Sequence, residues 1–201
     1  MTTPASAAFH QLVAARRGHF LLESGHHGAR WLDLDALFAS PARIAPLVAQ
    51  LASALRAHDV QAVCGPLIGG AFLAQLVARE LGTEFCFTER AAAGTPGAVF
   101  GARYRLPAAH AARLRGARVA IVDDVMSAGS ALRGTHAALL EHGAITVVAG
   151  ALLVLGRTGA DHFERLRLPV VSVAAEPYDS WLPDCCPLCA AGTPLERVAG
   201  G

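Results

Sequence analysis

The chain has 201 residues, of which 53% are hydrophobic and 16% are charged, and its mean hydropathy is +0.40. This length supports one sizeable core, so we expect a single domain over 1–201. The formal net charge of +1 gives no electrostatic footprint for nucleic acid. The longest apolar run, 145–155, contains Gly150 and is too short to cross a bilayer, so no membrane partner is expected.

The N-terminal part of the chain alternates helical and extended patterns. Residues 9–17 are typical of a short helix, and residues 18–27 of a strand that ends in a glycine-rich turn. Apolar residues at helical spacing predict a helix over 42–57, and a short apolar run predicts a buried strand over 60–64.

A glycine-rich turn over 65–70 leads into the next predicted helix. This helix should end at Leu81, because Gly82 suits the position that follows a helix. A strand is predicted over 84–88. Residues 89–106 show no periodicity and are predicted to form a mobile loop or a loose hairpin.

Residues 119–131 carry the strongest local signal in the chain. Four apolar residues predict a buried parallel strand, and Asp123 and Asp124 follow where it ends. A Ser/Gly loop then leads into a helical stretch over 132–142. Ligands of open α/β sheets bind at the carboxyl ends of strands, and a helix N-terminus offers N–H groups to phosphate. Carboxylates there would repel phosphate unless they hold sugar hydroxyls or a metal ion. The alternative is an ordinary strand-turn-helix with a solvated acidic pair.

The C-terminal part contributes two further predicted strands and an unusual tail. Residues 145–155 and 170–174 are typical of strands. Together with the preceding elements they predict an α/β fold with a parallel sheet. From Glu176 onwards the tail is rich in proline, cysteine and glycine.

The five cysteines are an odd number, and no N-terminal segment has the pattern of a secretory signal. This combination predicts a reducing compartment and a cytoplasmic location. In the tail, Cys186-x-x-Cys189 with Cys185 beside it resembles half of a zinc site. No second cysteine pair is visible, so a histidine or a partner subunit would have to complete four ligands. Structural cysteines in a folded tail are the favoured interpretation.

The apolar run, the acidic pair and the Ser-Ala-Gly-Ser loop together closely resemble the 5-phosphoribosyl-1-diphosphate (PRPP) signature of type I phosphoribosyltransferases. The resemblance implies that family's fold, a mainly parallel central sheet flanked by helices (core 42–175) with a small hood from 1–40 and 176–201. In the family the acidic pair holds the ribose 2′- and 3′-hydroxyls and the loop holds the 5′-phosphate. The PRPP-binding residues implied here are Asp123, Asp124, Val125, Met126, Ser127, Ala128, Gly129, Ser130 and Ala131.

Two further landmarks favour the orotate branch of this family. The segments 18–20 and 24–26 resemble the opening of orotate phosphoribosyltransferases, and 186–195 resembles the C-terminal signature of a longer subgroup. The resemblance implies transfer of ribose 5-phosphate from PRPP to orotate, giving orotidine 5′-monophosphate and diphosphate in pyrimidine synthesis. It implies Mg²⁺ bound through the substrate, with Asp123 and Asp124 as the candidate protein ligands. It also implies a homodimer with shared active sites.

Loops carry the rest of the implied site. The segment 65–71 resembles the family's first loop, whose backbone approaches the diphosphate, and the residues implied there are Leu67, Ile68 and Gly69. Leu155-Gly-Arg157 resembles the position of an arginine that pairs with the orotate carboxylate. The implied orotate contacts are Ser127, Arg157 and His26. Taken singly, Arg157 also fits a surface arginine and His26 a solvated turn residue.

One segment departs from the family pattern. Many orotate enzymes carry Arg-Lys-x-x-Lys-x-His in a flexible loop, whereas this chain has Arg90 followed by Ala-Ala-Ala-Gly-Thr-Pro, and all of its 17 basic residues are arginine. The candidate catalytic cations are therefore Arg90, Arg103 and Arg105. Arginine binds phosphate well but does not donate a proton. Two alternatives stay open, namely a PRPP or nucleotide sensor without transfer activity and a phosphoribosyltransferase for another base.

Overall fold

A computed structural model describes residues 4–22, 24–34, 36–91 and 103–197. The helices are α1 (Pro4–His10), α2 (Pro41–Leu55), α3 (Gly69–Leu81), α4 (Ala108–Leu114), α5 (Ser130–Glu141), α6 (Thr158–Arg165) and α7 (Pro187–Ala190). The strands are β1 (Ala14–Leu21), β2 (His27–Asp33), β3 (Ala62–Pro66), β4 (Glu84–Arg90), β5 (Tyr104–Arg105), β6 (Arg118–Met126), β7 (Ile145–Leu155), β8 (Val170–Glu176), β9 (Ser180–Trp181) and β10 (Glu196–Arg197). None of these helices has the length and apolar character needed to span a membrane.

The main sheet has six strands in the order β5-β4-β3-β6-β7-β8. The pairs from β4 to β8 are all parallel, and only the short edge strand β5 runs antiparallel, against β4. The predicted α/β fold with a mainly parallel sheet is therefore confirmed. The carboxyl ends of β3 and β6, the two central strands, meet at one edge of this sheet.

Each face of the main sheet is covered by its own hydrophobic core. Alternating residues of one strand point to opposite faces, so Val63 of β3 faces one core and Cys64 the other. The first core joins the sheet to α1, α2 and α3 through Leu51 and Leu73. The second core joins it to α5 and α6, with fully buried Phe163 as its largest side chain. Burial on both faces explains why the central strands are continuous apolar runs.

A second sheet of four strands has the order β10-β1-β2-β9. Its centre is the antiparallel β1–β2 hairpin, and both of its edges come from the C-terminal tail. The hairpin contains a bulge, because the pair Arg17↔Arg30 is followed by Phe20↔Gly28. Gly18 and His19 therefore stand opposite a single residue of β2. We call this four-stranded sheet the hood.

Most predicted elements are observed with shifted ends. The strand predicted over 145–155 is found with those bounds, and Gly82 follows α3 with a φ of 72°. The helix predicted over 9–17 is wrong, because α1 ends at His10 and β1 starts at Ala14. The strand predicted to end before Asp123 continues to Met126, because Val125 and Met126 still pair with β7. In the segment predicted as a mobile loop or a loose hairpin, the end of β4 pairs with β5, and 92–102 lie outside the described residues.

Candidate functional site

A cleft of about 730 Å³ lies between the carboxyl ends of β3 and β6 and the hood. The main sheet and its loops line it with the predicted phosphate loop, the acidic pair and the turn after β3. The hood lines it with residues of β1, β2 and the turn between them. The position is the one at which open α/β sheets bind their ligands.

Asp124 is the more buried member of the acidic pair. Its Oδ1 accepts the backbone N–H of Val125 at 2.7 Å, and Oδ1 of Asp123 accepts the N–H of Asp124 at 3.1 Å. Burial raises the pKa of Asp124 to about 6, although hydrogen bonds to its own carboxylate, such as the one from the Val125 N–H, favour the ionised form. At neutral pH the cleft therefore presents a costly buried carboxylate that lacks full solvation.

The loop that follows β6 leads into α5, whose first residue is the buried Ser130. Gly129, the residue directly before α5, adopts a left-handed conformation with φ 73°. The backbone carbonyl of Ser127 accepts a hydrogen bond from the N–H of Gly159 at 2.9 Å. Ser130 Oγ is buried and makes no hydrogen bond within the described residues. Because the first N–H groups of a helix lack intrahelical acceptors, an anion bound here would satisfy both kinds of donor.

The turn after β3 approaches the acidic pair very closely. The structure places Leu67, Ile68 and Gly69 on the cleft wall, and Ile68 is exposed. A Cβ atom on Gly69 would lie 2.1 Å from Oδ2 of Asp124. A side chain at this position would therefore displace the carboxylate, which explains the glycine.

The structure places the predicted PRPP-binding residues on the cleft wall with one exception. All except Met126 line the cleft. Met126 is 1% exposed and packs in the second core, so its side chain supports the loop from behind.

The three candidate cations occupy different positions. Arg90, at the end of β4, lines the cleft. Arg105 pairs with Glu89 at 2.5 Å and, like Arg103, is not among the cleft-lining residues. The stretch that follows Arg90 in the predicted loop, apart from Ala91, lies outside the described residues.

The predicted orotate contacts are spread over three places. Ser127 lines the cleft, whereas His26 lies beside it with its Nδ1 3.2 Å from Ser24 Oγ. Arg157 is exposed, and its guanidinium contacts Asp161 and Glu164 on α6. It is absent from the described cleft wall, although Leu155, two residues earlier, lies on that wall.

Several cleft residues carry no sequence motif and were not predicted. Arg30 of β2 lines the cleft and pairs with Glu176 at 2.9 Å, and Tyr178 donates to the Arg30 carbonyl at 2.7 Å. Trp31 and Tyr104 also lie on the wall. The hood brings Arg30 and Trp31 to the cleft, whereas Tyr104 comes from β5 of the main sheet and Tyr178 from the segment between β8 and β9, so no single local pattern identifies them.

The donor atoms of the cleft fit Mg²⁺ bound together with a phosphorylated substrate. Asp33, Asp123 and Asp124 line the cleft with carboxylate oxygens, the hard ligands that Mg²⁺ prefers. The small number of protein ligands matches an ion that keeps several waters and substrate oxygens in its coordination shell.

Comparisons with known proteins agree with this geometry. Residues 33–172 match the family model described as the phosphoribosyl transferase domain. The chain is 32% identical over 192 residues to the orotate phosphoribosyltransferase of Thermotoga petrophila, covering 92% of this chain and 91% of that protein. The orotate phosphoribosyltransferase structure from Aeropyrum pernix has a TM-score of 0.64 at 23% identity, covering 85% of this chain and 93% of that one. Adenine phosphoribosyltransferase from Thermoanaerobacter pseudethanolicus has a TM-score of 0.65 at 17% identity, covering 85% and 99%. These two structures are similar in fold.

Proposed function

This chain belongs to the phosphoribosyl transferase family, and from that premise we propose that it is an orotate phosphoribosyltransferase. The bond between C1 of the PRPP ribose and its diphosphate breaks. A bond from C1 to a ring nitrogen of orotate forms with inversion, and the proton of that nitrogen is released to the diphosphate or to water. The products are orotidine 5′-monophosphate and diphosphate, in the synthesis of pyrimidine nucleotides.

The observation that carries the proposal is the juxtaposition of the acidic pair with the Ser130 hydroxyl, which has no hydrogen-bond partner among the described residues. Asp123 and Asp124 are the proposed acceptors for the ribose hydroxyls. Ser130 Oγ and the first N–H groups of α5 are the proposed donors to the 5′-phosphate. Acceptors and donors side by side suit a sugar phosphate better than a simple anion or a simple cation.

Negative charge develops on the departing diphosphate, and arginines are the proposed counterions. Arg90 already lines the cleft, and the turn Leu67–Gly69 offers its backbone on the same wall. Preorganised charge in a site that excludes water stabilises such a transition state strongly. Bound Mg²⁺ would add further positive charge on the diphosphate oxygens. Arg103 and Arg105 are not on the cleft wall as the described residues form it, which suits a homodimer in which they act at the partner's site.

A steady-state assay of diphosphate release from PRPP tests the proposal. We expect turnover with orotate and Mg²⁺, and little with uracil, hypoxanthine or adenine. A sensor would bind PRPP without turnover, and an enzyme for another base would prefer one of the other three.

Replacing Arg103 and Arg105 with alanine should lower kcat about 100-fold with a small change in the KM for PRPP. Unchanged PRPP binding without any turnover in either protein would favour the sensor.

Arg157 is the proposed partner of the orotate carboxylate. Its exposed ion pairs with Asp161 and Glu164 are weak constraints, so the side chain is able to turn toward the cleft. The half-buried Arg30 is instead held by Glu176 and fixes the hood. Arg157→Ala should raise the KM for orotate about 10-fold or more, because a charge-assisted pair is lost.

The control for this variant is Arg165→Ala, which removes an exposed arginine from the other end of α6, the helix that Arg157 precedes. We expect its KM for orotate to stay at the wild-type value, and the KM for PRPP to change little in both variants. If Arg157→Ala leaves the KM for orotate unchanged, the carboxylate has another partner.

A further inference from the structure

Two histidines and two cysteines from distant parts of the chain converge at the hood. They are His19 of β1, His27 of β2, Cys186 just before α7 and Cys189 within it. One ligand atom from each residue lies within 4.8 Å of all the others. The cluster therefore supplies the two ligands that the Cys186-x-x-Cys189 spacing alone lacks. The site is separate from the proposed PRPP site, because none of the four residues lines the cleft.

Four of the six distances in the cluster are close to the edges of a tetrahedron around one ion, and the most distant pair lies within 4.8 Å. His19 Nε2 lies 3.0 Å from His27 Nδ1 and 3.4 Å from Cys186 Sγ. Cys189 Sγ lies 3.2 Å from His27 Nδ1 and 3.7 Å from His19 Nε2. A tetrahedral zinc ion with ordinary bond lengths requires about 3.3 Å between two nitrogens and about 3.6 Å between nitrogen and sulfur.

The surroundings orient His19 as a ligand. Its Nδ1 lies 2.8 Å from the carbonyl oxygen of Thr193, which accepts a hydrogen bond and so places the proton on Nδ1. The lone pair of Nε2 then points into the cluster, as in metal sites where a second partner fixes the tautomer. The bulge at Gly18–His19 turns this residue inward from β1.

Burial favours an ion over a set of ordinary polar contacts. His19, His27 and Cys186 are 1%, 5% and 3% exposed, and Cys189 is exposed and leaves an entry path. We propose that these four residues bind one Zn²⁺ ion, which fastens the C-terminal tail to the β1–β2 hairpin. Two thiolates with two imidazoles are the ligand set of structural Cys₂His₂ zinc sites. Because Ser24 lies on the cleft wall between the two histidines in sequence, the ion also fixes the turn beside the substrate.

Metal analysis of the full chain tests the proposal. The protein is produced without a histidine tag in zinc-supplemented medium, and the metal content is measured by mass spectrometry. We expect about one zinc per chain, and less than a tenth of that in Cys189→Ser and in His19→Ala. Cys185→Ser is the matched control, because Cys185 is an exposed neighbour outside the cluster, and it should keep the full zinc content. Wild-type protein without zinc would overturn the proposal.

A second measurement uses the wild-type chain alone, so that misfolding of a variant does not affect it. Removal of the metal with a chelator should lower the Tm by roughly 10 °C, and added Zn²⁺ should restore it. Co²⁺ in place of zinc should give the intense visible bands of a tetrahedral site with thiolate ligands. If the tail instead forms a Cys186–Cys189 disulfide, thiol counting will find two fewer thiols and Co²⁺ will give no such bands.

Discussion

Asp124 shows how a single side chain couples stability to function. Its carboxylate is buried beside the turn after β3, and burial raises its pKa to about 6. A carboxyl group whose folded pKa lies above its unfolded value binds more protons in the native state. Stability therefore falls as pH rises from about 4 to about 6 and stays reduced above that range.

We predict that Asp124→Asn raises the stability of the protein and lowers its activity with PRPP. The amide oxygen still accepts the Val125 N–H, but no buried charge remains. The free energy of unfolding should rise by roughly 2 kcal/mol at pH 8 and much less at pH 4.5. The kcat/KM for PRPP should fall by at least about 10-fold, because an ionised acceptor is lost. Denaturant titration at both pH values and a kinetic assay check this, and a loss of stability at pH 8 would contradict it.

Gly69 offers a purely steric test of the same carboxylate. In Gly69→Ala the added Cβ atom would displace the Asp124 carboxylate, so we expect kcat/KM for PRPP to fall about 100-fold. Gly82→Ala is the control, because a Cβ there meets open space but requires a left-handed backbone. It should cost about 1 kcal/mol of stability and leave kinetics unchanged. Equal activity in both variants would mean that the Asp124 carboxylate position does not matter.

At this scale the sequence predicted residues that lie together in one local motif. Asp123, Asp124 and the Ser/Gly loop follow one another directly, so a strand, a turn and a helix place them without long-range information. Arg30 and Tyr178 lie far apart in sequence and meet only through the hood. Neither the periodicity of the sequence nor the spacing of its residues predicts that contact.

At the scale of elements, Glu176 at the end of β8 joins the N-terminal helix to the hood. Its carboxylate accepts hydrogen bonds from Ser6 and pairs with His10 at 2.7 Å and Arg30 at 2.9 Å. Burial alone would raise the pKa of Glu176, but the hydrogen bonds from Ser6, His10 and Arg30 outweigh it and lower the pKa to about 2. The contribution to stability is therefore present above pH 4.5 and is lost as pH falls toward 2.

Glu176→Gln should remove part of the acid sensitivity of the fold. At pH 7 we expect the variant to be less stable by about 2 kcal/mol, with the difference shrinking toward zero near pH 2. Glu141→Gln, at an exposed position at the end of α5, should follow the wild-type curve. Chemical denaturation across this pH range measures the difference. A constant offset between Glu176→Gln and wild type at all pH values would contradict the linkage.

Elements were predicted best where a single pattern determines them. The strand β7 is a continuous apolar run, and α3 ends where Gly82 takes a left-handed conformation. The helix predicted over 9–17 was wrong because the polar start of β1, with Arg16 and Arg17, has no alternating pattern that would indicate a strand. This strand is specified by pairing with β2 and β10 rather than by its own residues.

At the scale of the whole molecule, sequence alone does not give the assembly. If the proposed homodimer shares its sites, an Asp124→Asn chain and a chain with Arg103 and Arg105 replaced by alanine should complement each other. Each hybrid dimer would contain one intact site, so random mixing should restore about a quarter of wild-type activity. Refolding the two impaired variants together and assaying turnover checks this. Activity no greater than the sum of the separate variants would place all catalytic groups in one chain.

The hood depends on the last strands of the chain. All parallel strands of the main sheet lie between Ala62 and Glu176, whereas the outer neighbours of β1 and β2 are β10 and β9 in the tail. Without residues 180–197, both outer edges of the N-terminal hairpin would be unpaired, whereas the main sheet would keep all of its strands. A chain truncated before Ser180 would therefore keep the strands of the main sheet but lack both outer strands of the hood. We expect proteases to cleave its β1–β2 hairpin before the main sheet.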